Sequence, residues 1–93
     1  MRMYVSTEIW KFPLTVGEQT IDLPMHSRLL SVAAQGDEPV LWAVVVPSNA
    51  KTKRKIFVAM TGQSCDDELR GPFLGTILLS GGSFVLHVFD HGE

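Results

Sequence analysis

The sequence predicts an all-β, mainly antiparallel domain: a compact seven-stranded sandwich or half-open barrel with one short helix near residues 64–70. Three observations carry that expectation. Short apolar runs alternate with polar residues, turn residues punctuate them at hairpin spacing, and residues 73–89 form two β-type runs hinged on Gly81-Gly82. Paired glycines supply φ > 0 at both central positions of a two-residue loop, so the last segment predicts a tight hairpin.

The elements follow in chain order. Val5–Phe12 reads as a first strand, with Val5, Thr7 and Ile9 on one side and Trp10 and Phe12 on the other. Pro13 ends it, because proline cannot donate to a central ladder. Glu18–Leu23 is a second strand, with Ile21 and Leu23 facing inward, and Pro24–Ser27 is a turn. Arg28–Gln35 places Leu30, Val32 and Ala34 on one face. After the Gly36–Pro39 turn, Val40–Val46 is apolar on both faces and belongs at the centre of a sheet with each side covered. Arg54–Thr61 is the fifth strand, stopped at Gly62. Ser64–Arg70 predicts a helix of one or two turns, capped by Ser64, favoured by three acids at its positive end and halted by Gly71-Pro72. Asp90–Glu93 reads as a polar tail prone to fray.

Ninety-three residues make a single domain, 1–93, close to the size at which one core suffices without staples. Yet 45% of residues are hydrophobic and only 19% charged. That excess of apolar surface predicts burial against another copy, a homo-oligomer, or against a partner. A lone cysteine, Cys65, forbids an intrachain disulfide and fits a reducing compartment. The amino end carries no apolar leader run, and the longest apolar stretch, Val40–Val46, is far short of the ~18–20 residues of a membrane span. A soluble, cytoplasmic protein is expected, with no membrane partner. A net charge of −2 supplies no general field for nucleic acid, so no specific nucleic-acid binding is predicted.

No catalytic or metal set is predicted. His87 and His91 lie four residues apart, ~13 Å along a strand, too far to share one ion. Cys65 has no pairing base, and its acidic neighbours Asp66 and Asp67 disfavour the thiolate. The acids 66–68 read as a solvated helix cap. No cofactor is implied.

One cluster has binding chemistry. Lys51-Thr52-Lys53-Arg54-Lys55 places four cations in five residues, alternate ones on opposite faces of the strand. Lys53, Arg54 and Lys55 are candidates to neutralise phosphate, Arg54 as a bidentate fork. Thr61 and Gly62 are candidates to donate hydrogen bonds, and Trp42 or Phe73 to stack a base. Lysines on an edge strand also serve as plain protection against edge-to-edge aggregation, and Trp42 sits in the most apolar run, where core is the ordinary role.

The run Pro39-Val40-Leu41-Trp42-Ala43, then Thr61-Gly62, Gly75-Thr76, Gly81-Gly82 and His87-Val88-Phe89, resembles a family of small uncharacterised β-rich proteins encoded by phages and prophages. Lys11–Leu14 and Leu29–Val32 extend the likeness upstream. These are strand and turn residues, so the resemblance implies a fold and a source, a virus acting in the bacterial host cytoplasm, and carries no catalytic residues. The basic insert Lys51–Lys55 departs from that pattern. The combined expectation is a non-enzymatic phage-type binding protein, an anti-defence protein sequestering a small nucleotide-like immune signal. The alternative is an inhibitor or accessory module that docks a host or phage protein through a sheet edge.

Overall fold

The computed structural model describes residues 6–93, and the expected strand start at Val5 lies outside them. Seven strands follow one another: β1 (Glu8–Pro13), β2 (Gly17–Pro24), β3 (Arg28–Gln35), β4 (Glu38–Val45), β5 (Lys51–Met60), β6 (Phe73–Leu79) and β7 (Phe84–Gly92). They form two antiparallel sheets, β1-β4-β3 and β2-β5-β7-β6, stacked as a sandwich. Among the described residues, no helix is long and apolar enough to cross a membrane.

The core lies between the sheets. Leu41, Ala43 and Val45 of β4 face Ile21, Leu23, Ile56, Val58, Ile77, Leu86 and Val88 of the larger sheet, with Trp10 and Phe12 packed at the margin. The period-2 reading of β1 and β2 therefore holds. Val40–Val45 is central in its sheet, as its two apolar faces predict: Val40 is buried and Trp42 and Val44 are half-buried on the outer face.

In β3 the phase differs from the sequence reading. A bulge between Leu29 and Ser31 lets both Leu29 and Val32 pack on the core, and leaves Leu30 exposed. An extra residue shifts the pleat by one, which no alternating pattern anticipates.

The two-residue hairpin of the fold sits at Gly36-Asp37, where φ is +56° and +66°, and not at Gly81-Gly82. The β6–β7 connection is four residues, Ser80–Ser83, containing a single 3-10 turn. Asp37 ties the two turns together: its Oδ1 accepts the Ser80 N–H at 2.6 Å. Forty-three residues separate that pair, and the same offset brings Val32 over Gly75. Strands β3 and β6 thus run side by side in one direction and close that flank of the sandwich.

The expected helix at 64–70 does not form. Strands β5 and β6 run parallel on either side of β7, so residues 61–72 must cross from the end of one to the start of the other. With the core face occupied, the crossover passes over the outer face of the larger sheet, where Phe57 and Ala59 are buried. Glu68 shows what competes with the helix. Its carboxylate accepts the Asp66 N–H at 2.8 Å, while its carbonyl accepts from the His91 ring and the Arg70 N–H. A segment this short has too little propagation to resist such contacts.

The chain end is also not a fraying tail. Asp90 is 6% exposed, and β7 continues to Gly92 around a bulge that pairs Ile56 with Asp90 and Lys55 with Gly92.

Candidate functional site

The basic run enters a strand that is interior to its sheet, so it is not edge protection. Its cations are distributed as the strand period requires. Lys51 Nζ lies 5.2 Å from the Trp10 ring centroid, and Lys53 pairs with Asp22 at 2.9 Å in the open. Lys55 is exposed. Arg54 points the other way, toward β7, where Nε and Nη2 reach Asp90 Oδ1 and Oδ2 at 3.1 and 2.5 Å. It is therefore half-buried and committed to a carboxylate, not a free fork.

That pairing sets the charge of both groups. Burial alone would push the Asp90 carboxyl up, but the Arg54 hydrogen bonds, the Gly92 N–H and the positive charge of Arg54 outweigh it, holding it below its usual range. The Asp90 hydrogen bonds hold the Arg54 guanidinium above its ordinary value, against the opposing effect of burial.

The remaining candidates do not converge on the run. Thr61 lies beyond the far end of β5, seven residues from Arg54 and roughly 23 Å along an extended chain. Its N–H donates to the Val85 carbonyl and its hydroxyl lies 2.7 Å from His87 Nε2, while Thr76 Oγ1 holds Nδ1 of that ring at 3.1 Å. Gly62, with φ +88°, follows in the turn. Trp42 is on the outer face of the other sheet. Phe73 opens β6 and stacks at a tilt on Phe89, with centroids 5.4 Å apart.

A cleft of about 330 Å³ forms where the crossover rejoins the sheet. Arg54, Arg70, Gly71, Pro72, Asp90, His91 and Gly92 line it. The Pro72 carbonyl accepts the Asp90 N–H at 2.9 Å, and Gly71, at φ +81°, rests on the Asp90 carbonyl with no room for a Cβ. Arg70 also lines the cleft, exposed and in no ion pair among the described residues. Arg54 retains unused N–H donors, because Asp90 engages only two of its five. Two guanidinium groups and one carboxylate give the cleft a net positive charge suited to an anion.

Sequence reasoning found Arg54 and missed Arg70, Asp90 and His91. The dipeptides Gly71-Pro72 and His91-Gly92 were the available signals, since a glycine beside a polar residue often marks close backbone approach.

A family model matches residues 5–93. The chain belongs to the family described as Domain of unknown function (DUF7352). No curated protein matches the chain, and no solved structure does. The β-sandwich and cleft described above thus lie within the residues that match the DUF7352 family.

Proposed function

We propose that this DUF7352 protein is a non-enzymatic binding protein that captures a small phosphate-bearing, nucleotide-like molecule at the Arg54–Arg70 cleft. One observation carries the reading: Arg70, in no ion pair among the described residues, lines the same cleft as a second guanidinium that is fixed in place by its fork to Asp90. A guanidinium held rigidly loses little freedom on binding an anion, and the free one supplies the charge that draws it in. The cleft volume of about 330 Å³ lies at the small end of ligand sites. In the phage setting implied by the sequence resemblance, sequestering such a molecule suits an anti-defence role in the host cytoplasm.

The test is thermal unfolding against a panel of cyclic nucleotides, ADP-ribose and inorganic phosphate. Capture raises the melting temperature by ligand linkage, and Arg70→Ala removes the rise without altering the unliganded protein. A panel that leaves the transition unmoved discards this function.

Docking of a polypeptide, or of a second copy, is the competing reading. It is favoured by Phe73, Leu78 and Phe84 of the last hairpin, which are 56%, 61% and 51% exposed. Light scattering on the purified chain separates the two: self-association that Leu78→Lys abolishes supports docking between copies.

A further inference from the structure

We propose that His91 and Glu18 form a proton-dependent latch that holds the 61–72 crossover, and Arg70 with it, against the outer face of the larger sheet. The His91 side chain is 1% exposed, and its ring lies parallel to Phe57 with centroids 5.6 Å apart. Nε2 sits 2.8 Å from the Glu68 carbonyl. A carbonyl oxygen only accepts, so that contact places a proton on Nε2. Nδ1 is then the atom at issue: it is buried, has no hydrogen-bond partner among the described residues, and lies 3.4 Å from Glu18 Oε2.

With Nδ1 bare, two acceptors face one another and a buried polar atom goes unsatisfied. A proton on Nδ1 converts the same contact to a charge-assisted donor and acceptor. Glu18, with its side chain 47% exposed, has room to swing into line. Histidine is the side chain whose charge ordinarily changes between about pH 5 and 8, which sets the pH range of the test.

The other charged groups around the ring are already engaged or lie across the strand. Asp90 is forked to Arg54 yet still interacts with the ring through its charge, and the Glu68 carboxylate is turned to the Asp66 N–H. Glu93 follows at the chain end, Lys55 is across from Gly92, and Arg70 is on the crossover. Lys55, Arg54 and Arg70 oppose a further positive charge; Glu18 is the carboxylate in contact with the ring.

The Glu68 carbonyl also accepts the Arg70 N–H at 2.9 Å, so the latch is one residue's hydrogen bonds away from the cleft guanidinium. Its consequence for anion capture rests on the function proposed above; the latch itself is measured without ligand.

The experiment is hydrogen exchange of the crossover amides, corrected for intrinsic rates, at about pH 5.5 and about pH 8. The wild-type chain should show roughly threefold to fivefold more protection at the lower pH, the range an ion pair of this exposure supplies. Glu18→Gln, a half-exposed position tolerant of change, should flatten that difference, and His87→Gln should leave it intact. Equal wild-type protection at both pH values overturns the latch, as does an unaltered response in Glu18→Gln. A response lost in His87→Gln instead assigns it to the Thr61–His87 contact and likewise overturns it. If the latch holds while no phosphate compound shifts the melting temperature, the cleft reading fails and the latch stands.

Discussion

Arg54 and Asp90, 36 residues apart, meet across the β5–β7 ladder as a two-point fork, with Asp90 almost wholly buried. The contact fastens the last residues of the chain to the strand that the basic run begins. It makes the sequence's foremost phosphate-binding candidate part of a structural joint.

Removing one side of that joint leaves the other charge stranded. Arg54→Met should lower unfolding free energy by about 2–3 kcal/mol, less than a fully buried pair because the guanidinium keeps some solvent. Urea denaturation measures it, and a loss below about 0.5 kcal/mol would show the fork to be energetically idle.

The same fork dictates an acid sensitivity. Asp90 is held below its usual range in the folded state, so its contribution is complete above the unfolded value and lost as pH falls through the folded one. Stability should drop below about pH 4, and Asp90→Asn should shrink that drop while lowering stability at neutral pH. Melting curves between pH 2 and 7 decide it.

Gly71 is the tightest backbone contact in the cleft. A Cβ there would overlap the Asp90 carbonyl oxygen, and the positive φ is strained for any L side chain. Gly71→Ala should cost at least about 3 kcal/mol, whereas Gly36→Ala, whose Cβ meets open space, should cost about 1 kcal/mol from φ alone. Equal losses at the two sites would mean the crossover does not press on β7.

Asp37 joins the two turns at the closed flank of the sandwich. Asp37→Ala removes the acceptor for the Ser80 N–H and a residue tolerant of φ +66°, and should cost about 1.5–2 kcal/mol. Asp37→Asn keeps both features and should lose under half of that. Chemical denaturation of the pair gives the comparison.

How much of this was legible beforehand varies by element. Ile21 and Leu23, Ile56 and Val58, and the doubly apolar Val40–Val45 announced their strands, because burial against one face imposes a period of two. Leu29 and Leu30 misled, since a bulge changes which of two adjacent leucines faces inward. Ser64–Arg70 misled for another reason. Its capping residues are genuine helix signals, but Glu68 is claimed by His91 from 23 residues away. The site suffered most: Arg54 was visible as a charge, and its partner Asp90 looked like a loose end.

By itself, the sequence determined the class of the fold, the number of strands and most inward faces, because these follow from local alternation and turn chemistry. Only the tertiary structure decided which cation is free and which is bound. Arg54 and Arg70 are chemically alike, and what separates them is register: one lies diagonal to a buried carboxylate across a ladder, the other stands at the end of a crossover in no ion pair among the described residues.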